Sequence, residues 1–411
     1  MTDKTFILIA WRNVRRNGRR SFLAVLIASI GLTTLIISNS LYDGFHEKMI
    51  ENAVRIYMGH IQIHEKGFHQ NPTIDKRFEP SEEHLFNGIK TIRASSRRVK
   101  FQAMASTAAS SQAVIAIGIE PEKEKEASIL KGSVLSGDYL GTSEEESRDC
   151  LVGEYLFNNL RMEAGEKLVL VSQAVDGSLA ADAFRVAGVC RTGNPDIDRS
   201  FVWIPLSSAQ EMLGYGNSVS EIVLLLNRAA DVEHTQKKIK QRVDAEKIEV
   251  LNWQEIAPDI VQLIALDIAM QRILMTVIAV IVAVAIMNVM MMSIQERFTE
   301  FGIMSAIGTR PGQIVMMVLW ESFFLGILGV AGGLILSSAG LVFFYLHGVN
   351  LASFSAGVTK FIGLDTRVFP ILKSQQVIIS AFIVLASSTL ISLFPALRAA
   401  HMDTVKAIRH I

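Results

Sequence analysis

The stretch SFLAVLIASIGLTTLIISNSLY, residues 21–42, contains no charged side chain. At about 1.5 Å per residue, a helix of this length crosses the ~30 Å hydrocarbon core of a bilayer. The block is longer than the ~7–15-residue apolar core of a signal peptide, and no A-x-A cleavage site follows it. A first membrane span over residues 21–42 is therefore favoured over a cleaved leader.

Three further apolar blocks follow in the second half of the chain. The composition is 50% hydrophobic and only 19% charged, and the apolar excess is concentrated in these blocks. Helices of this length and hydrophobicity are typical of membrane spans. The predicted spans two to four are residues 273–294, 313–346 and 377–394.

Basic residues orient the predicted spans. Lys4, Arg12, Arg15, Arg16, Arg19 and Arg20 precede the first span with one acid, Asp3, which predicts that residues 1–20 form a basic amphipathic segment in the cytoplasm. Alternation then predicts four further segments: 43–272 and 347–376 outside the cytoplasm, and 295–312 and 395–411 inside it. The tail agrees because it carries Arg398, Lys406 and Arg409, whereas the two short loops do not discriminate.

Residues 43–272 are too many for a loop and predict a folded α+β domain outside the cytoplasm. Strands are predicted from short alternating or β-rich runs: GHIQIHEKGF (59–68), AVIAIGI (113–119), KLVLVSQAV (167–175), FRVAGVC (184–190) and EIVLLLN (221–227). Helices are predicted at 81–92, 154–162 and 207–215. The returning segment Trp253–Met270 carries an apolar stripe, and we expect it to continue without a break into the second span as a stalk.

No recognisable enzyme chemistry is present. The motif G-x-x-x-x-G-K-[ST] does not occur, so this chain cannot build a P-loop for ATP and Mg²⁺. His60, His64 and His69 have neither a flanking carboxylate motif nor the pattern H-E-x-x-H, and a structural or surface role is favoured over a metal site. Cys150 and Cys190 could form one disulfide outside the cytoplasm or could be two separate core residues, and both interpretations stay open. The formal net charge is zero, which gives no reason to expect nucleic acid as a partner.

The stretch ERFTEFGIMSAIGTRPGQI, residues 296–314, lies between the second and third spans. A plain turn would need only a few polar residues, yet this one has an apolar surface formed by Phe298, Phe301, Ile303, Met304 and Ile307. Such a surface needs a cover, and lipid headgroups or the groove of a partner protein are the two candidates. Gly308 and Pro311 then end the helix. The pattern predicts a coupling helix on the cytoplasmic side.

Polar and small residues inside the spans indicate packing positions. Glu321 lies about 12 Å into the third span by helical rise, where an interior partner and an interfacial position are equally plausible. Gly329 and Gly333 form a GxxxG pair suited to close helix contact, within this subunit or with another. Asn288 is the main polar interruption of the second span.

Head, coupling stretch and tail together resemble one family. E-R-x-x-E-F-G-I-M-x-A-I-G (296–308), the head motifs Trp11-Arg12-Asn13 and Arg19-Arg20-Ser21, and P-A-L-R-A-A-x-x-x-T-V-K-A-I-R (395–409) are similar to the FtsX-like permease core of MacB-type ABC transporters. GIEPEKE (118–124), residues 150–170 and FRVAGVCRTG (184–193) look like the periplasmic core domain of that family. The layout, with no ATPase on the chain, looks closest to the LolC/LolE lipoprotein-releasing subunits.

The resemblance implies a bacterial inner-membrane permease with both termini in the cytoplasm. Its expected partners are two copies of a separate ABC ATPase that carries ATP and Mg²⁺, a second permease subunit, a periplasmic lipoprotein or carrier, and membrane lipid. The family works by mechanotransmission, in which closure of the ATPases moves the external domains. The implied coupling residues are Glu296, Arg297, Glu300, Phe301, Gly302, Ile303, Met304, Ala306, Ile307 and Gly308.

Three functions remain in competition at this point. The first is a permease subunit, either for lipoprotein release or for MacB-like export of peptides, drugs or toxins. The second is a membrane-anchored enzyme, which lacks a catalytic constellation. The third is an FtsX-like regulator of a cell-wall hydrolase, although FtsX itself usually has a smaller external domain.

Overall fold

The computed structural model describes residues 3–16, 18–80, 85–86, 88–141, 148–163, 165–350 and 367–401. The chain divides into two compact units. The helical unit comprises Met1–His46, Ile264–Val349 and Arg367–Ile411, and the sheet unit comprises Glu47–Leu263 and Asn350–Thr366. Lys406 and Arg409 of the tail and residues 81–84 and 87 of the helix predicted at 81–92 lie outside the described residues. In the rest of that segment only Leu85 and Phe86 are helical, and Ile92 already begins a strand, so the helix prediction is wrong over 88–92.

Four helices are long and apolar enough to cross a membrane: Gly18–Met58, Pro258–Glu296, Pro311–His347 and Ser374–Ala400. They agree with the four predicted spans because each contains an uncharged block long enough for the hydrocarbon core. The helical unit contains all or most of α1 (Asp3–Arg16), α2 (Gly18–Ala53), α9 (Pro258–Glu296), α10 (Phe298–Ala306), α11 (Pro311–His347), α12 (Ser374–Ile391) and α13 (Leu393–Ala400). The last residues of α2 and the first of α9 belong to the sheet unit. Short strands β11 (Val349–Asn350) and β12 (Arg367–Val368) follow α11.

Glycines let α11 pack closely on α2. A Cβ atom at Gly333 would lie 2.8 Å from the Cβ of Leu32, and one at Gly329 would collide with Ala28. Hydroxyls add to the contact: Ser29 Oγ donates to the Gly329 carbonyl at 3.0 Å. The GxxxG pair is therefore used inside this subunit, which answers the question that the sequence left open.

The sheet unit is built on one ten-stranded mixed sheet. Its strands run in the order β10-β1-β9-β2-β3-β8-β5-β7-β4, and β6 pairs with β2 and β7. Within the described part of this sheet, the pairs β3·β8 and β5·β7 are parallel and the other pairs are antiparallel. The strands are β1 (Ile61–Glu65), β2 (Ile92–Ser106), β3 (Ser111–Ile119), β4 (Val134–Gly137), β5 (Asp149–Gly153), β6 (Lys167–Gln173), β7 (Leu179–Cys190), β8 (Phe201–Pro205), β9 (Glu221–Leu226) and β10 (Ile248–Asn252).

Short helices and several apolar clusters complete this unit. The helices are α3 (Pro121–Ala127), α4 (Glu154–Asn159), α5 (Pro195–Ser200), α6 (Leu206–Leu213), α7 (Val232–Lys240) and α8 (Trp253–Ile256), with a π-helix at Val54–Met58 and 3₁₀ turns at Leu130–Ser133 and Ala229–Asp231. Along β3, Val114 and Ala116 enter one cluster, whereas Ile117 and Ile119 enter another. Successive side chains of a strand point to opposite sides, so these two clusters cover the two faces of β3. All five predicted strands are confirmed.

The predicted stalk is wrong at its start. The segment is not one helix from Trp253: α8 ends at Ile256, and α9 begins at Pro258. Asn252 and Glu255 form a capping box that starts α8 at Trp253, and Pro258 has no amide hydrogen with which to continue that helix. From Pro258 to Glu296 the helix is continuous.

Cys150 and Cys190 are buried free thiols. On the paired strands, Cys150 lies opposite Val186 and Cys190 opposite Gly153. At about 3.3 Å per residue this offset separates the two cysteines by roughly 10 Å, beyond the ~7 Å between Cα atoms that a disulfide tolerates. Burial raises the pKa of both thiols. The structure thus favours two separate core residues over the disulfide.

Candidate coupling site

Helix α10 is a nine-residue segment with one buried and one exposed side. Phe301 is only 1% exposed and packs in the core of the helical unit, with Gly302 beside it. On the opposite side Ile303 is 51% and Ile307 76% exposed, next to the exposed Ala306, whereas the half-buried Met304 packs against the same core as Phe301. Phe301 therefore cannot belong to an exposed docking face, which corrects the apolar face expected from the sequence.

Both ends of α10 are set by local sequence. The helix begins after Arg297 and ends at Ala306 with Ile307 as its C-cap, and Gly308 follows with φ = +94°, a left-handed conformation that glycine adopts without strain. Pro311 then occupies the first turn of α11, and the Arg310 amide donates to Gln313 Oε1 at 3.0 Å. These turns fix where the exposed side of α10 begins and stops.

Arg297 connects α10 to the interior of the helical unit. Its Nη1 donates to Glu321 Oε2 at 2.9 Å, and its Nε donates to Glu300 Oε2 at 3.1 Å. The guanidinium also lies 5.1 Å from the ring centre of Phe301. Arg297 and Glu321 are both buried. Of the two positions that the sequence left open for Glu321, the structure has the interior one, with Arg297 as its partner.

The basic head segment supplies two more ion pairs. Arg16 Nη2 donates to Glu300 Oε1 at 2.5 Å, and Arg20 pairs with Glu296. Burial raises the pKa of Glu300, but the hydrogen bonds and charges of Arg297 and Arg16 outweigh it and hold this pKa below its ordinary value of 4.5. Arg16 and Arg20 were predicted only to orient the chain, and their ion pairs were missed because no local spacing joins the end of α1 and the start of α2 to Glu300 and Glu296.

A cleft of about 500 Å³ lies beside the start of α10. It is bounded by the end of α9, the first turn of α10 and the exposed Arg398 of α13; its lining residues are Met291, Ile294, Gln295, Glu296, Phe298, Thr299 and Arg398. A cleft with an acid and a base on its walls can receive a polar side chain of a docked protein.

The remaining predicted residues lie apart from this site. Asn288 is exposed on α9. His60 Nδ1 accepts a hydrogen bond from the Leu226 amide at 3.1 Å, and His64 bonds to Gln62 at 2.9 Å. Among the residues that the structure describes, no group of three or more His, Cys, Asp or Glu side chains could hold a metal ion.

Comparison with known proteins now adds to this geometry. Residues 21–242 match the family model of the MacB-like periplasmic core domain, and residues 272–404 match that of the FtsX-like permease C-terminal region. The first match alone covers more than half of the chain. The chain belongs to the MacB/FtsX-like family of ABC permeases. The family suggested by its motifs is confirmed.

Individual relatives of this FtsX-like permease are distant. The macrolide export ATP-binding/permease protein MacB 2 of Yersinia pestis bv. Antiqua is 27% identical over 62% of this chain and 34% of its own length. The lipoprotein-releasing system transmembrane protein LolC of Xylella fastidiosa is 20% identical over 97% of this chain and 96% of its own length. The solved periplasmic region of MacB from Actinobacillus actinomycetemcomitans is 12% identical, with a TM-score of 0.35 over 49% of this chain and 91% of that region.

The chain spans about a third of the length of the MacB relatives that it matches. Within this FtsX-like permease, α10 lies inside the matched C-terminal region, and strands β1 to β9 lie inside the matched core domain. Four apolar helices together with this domain indicate a bacterial inner-membrane protein.

Proposed function

We propose that this chain is the permease subunit of an ABC transporter and that the exposed side of α10 docks into a separate ABC ATPase. The observation that carries the proposal is the two-sided α10. One side is fastened by Phe301 and Arg297, and the other presents Ile303 and Ile307 without cover from this subunit. Burying two such side chains contributes roughly 1.5–3 kcal/mol each.

The same proposal fixes the topology. With the basic head and tail in the cytoplasm, α10 lies on the ATPase side and the sheet unit, inserted between the first and second spans, lies in the periplasm. ATP and Mg²⁺ are held by the ATPase. Within the membrane, the exposed amide of Asn288 would need a polar partner, and a second permease subunit would supply one.

For the cargo we propose lipoproteins, released from the inner membrane. Support comes from the alignment with the LolC transmembrane protein, which runs over nearly the full length of both chains. MacB-like export from the periplasm is the second candidate, supported by higher identity over a shorter region. A cell-wall regulator shares α10 and differs in its external partner.

Co-purification tests the docking proposal. We expect Ile303→Asp and Ile307→Asp to reduce recovery of the ABC ATPase encoded nearest to this chain by at least tenfold, because an unpaired charge enters the interface. Leu179→Asp is the matched control, since Leu179 of the sheet unit is 79% exposed and Ile307 is 76% exposed. Normal recovery with both α10 variants would contradict the proposal.

Transport assays in reconstituted vesicles test the proposed cargo. A triacylated lipoprotein should leave the membrane in an ATP-dependent way when permease and ATPase are present together. Release that does not depend on ATP, together with ATP-dependent loss of a macrolide or peptide from the outer compartment, would favour the export alternative.

A further inference from the structure

The first long helix ends inside the sheet unit with its last carbonyl groups held by donors from the sheet and its loops. The helix runs from Gly18 to Met58, and its final turn, Val54–Met58, is a π-helix. The last carbonyls of any helix have no partner within it. Here Arg55 O accepts from the Ile129 amide at 2.9 Å, and Met58 O accepts from Gln62 Nε2 at 2.8 Å.

A third carbonyl of this end, Tyr57 O, is bound by a buried guanidinium. Arg98 Nη1 donates to it at 2.5 Å. Arg98 lies on β2 and is only 2% exposed. An arginine at this depth is costly to desolvate unless each donor has a partner, so its partners explain why it is tolerated.

Glu124 of α3 holds the other side of the guanidinium. Arg98 Nη2 and Nε donate to the two carboxylate oxygens at 2.6 and 3.0 Å, and Ser96 Oγ adds a third bond at 2.6 Å. A second carboxylate, that of Glu221, lies 3.5 Å from Arg98 Nη1. Burial lowers the pKa of Arg98, but the two carboxylates raise it by more than burial lowers it, so this pKa lies above the ordinary value. The charge is permanent.

The side chain of Tyr57 is held as firmly as its carbonyl. Lys100 Nζ donates to the Tyr57 hydroxyl at 2.8 Å and lies 5.0 Å from its ring centre. The ring also meets Phe201 of β8 edge-on, with 5.5 Å between ring centres. Side chains of β1, β2 and β8 therefore bind or pack against this one turn of helix.

Stability alone does not explain this arrangement, because well-packed apolar residues usually replace a buried ion pair at no cost. Only the planar fork of arginine binds a carboxylate with two nitrogens while a third reaches a carbonyl; lysine is a point charge on a flexible stem. We propose that Arg98 is a positioning residue that fastens the end of the first long helix to the sheet, so that displacement of this helix is passed to the sheet unit. The transmission of this displacement rests on the proposed function.

Hydrogen exchange of the full chain in lipid nanodiscs tests the anchor without any ATPase or cargo. In Arg98→Lys, amides of residues 54–60 should exchange at least tenfold faster, while those of β5 and β7 keep their rates. The apolar pair Arg98→Met with Glu124→Leu keeps the core filled and removes the carbonyl donor, so it should show the same local increase. Exchange within twofold of the unmodified protein in both variants would overturn the proposal.

Arg191→Lys is the matched control. The Arg191 guanidinium makes a two-nitrogen contact with Glu154 in the same unit, but among the described residues it has no bond to a carbonyl of the first long helix. In Arg191→Lys the amides of residues 54–60 should exchange at the rate of the unmodified protein. An increase equal to that in Arg98→Lys would mean that either change loosens the whole domain, and it would overturn the anchor.

Coupling is measured with the ATPase and a triacylated lipoprotein in vesicles. Arg98→Lys should bind the ATPase normally and release at least tenfold less lipoprotein per ATP hydrolysed. Normal release would overturn the transmission role. Failure of the unmodified chain to bind the ATPase would instead contradict the proposed function, and the exchange result would still decide the anchor.

Discussion

The buried pair Arg297–Glu321 gives a prediction that needs no partner protein. Arg297→Met leaves the carboxylate of Glu321 buried without a counter-ion, which typically costs about 3–5 kcal/mol. Glu321→Leu is milder, roughly 1–2 kcal/mol, because Arg297 keeps Glu300 at 3.1 Å and the ring of Phe301 at 5.1 Å. The double variant removes both charges, and its remaining loss, the exposed contact with Glu300, is worth at most about 1 kcal/mol.

The assay is a double-mutant cycle on unfolding in mixed micelles. We expect the double variant to be more stable than Arg297→Met alone, with a coupling energy above about 2 kcal/mol in magnitude. Additive effects of the two single changes, or a loss below about 0.5 kcal/mol for Arg297→Met, would refute a buried pair at this position.

Three further predictions concern packing, pH and topology. Gly333→Leu should destabilise the helical unit by about 1–3 kcal/mol by thermal unfolding, because it overfills the contact with α2, whereas Gly312→Ala, with open space around it, should stay within about 0.5 kcal/mol. Burial raises the pKa of Glu124, but Arg98 lowers it more, so this pKa lies below 4.5. The stabilisation from the ionised Glu124 is complete above pH 4.5 and is lost as pH falls through the lowered pKa. The melting temperature of the variant Arg98→Met with Glu124→Leu should therefore depend less on pH in that range. A cysteine at Val405 should react with a membrane-impermeant maleimide only after the cells are opened; labelling of intact cells would contradict a cytoplasmic tail.

The spans and five strands followed from sequence because each is a local pattern. An uncharged block must lie in lipid or a core, and a period of two buries alternate residues. Strand β2 was missed because IRASSRRVKFQAMAS looks polar in its first half. Its alternation is nevertheless present in Val99, Phe101, Ala103 and Ala105, all buried. The buried Arg98 concealed the pattern, since its counter-charge lies 26 residues away at Glu124.

The two sides of α10 could be predicted only in part. Phe301 and Ile303 lie roughly 200° apart on a helix of 3.6 residues per turn, so they could not share one face. Which of them turns inward depends on α1 and α11, whose contacts are distant in sequence. The pair Arg297–Glu321 is likewise a product of packing, because it joins residues 24 positions apart.

Site-specific photo-crosslinking tests the central claim most directly. A benzoylphenylalanine is placed at Ile307 of α10 or at Leu346 near the opposite end of α11, which are 76% and 71% exposed. Our account predicts that the ABC ATPase is captured from position 307 and not from position 346. Capture from both positions, or from 346 alone, would contradict a docking site on α10 and the topology that places it in the cytoplasm.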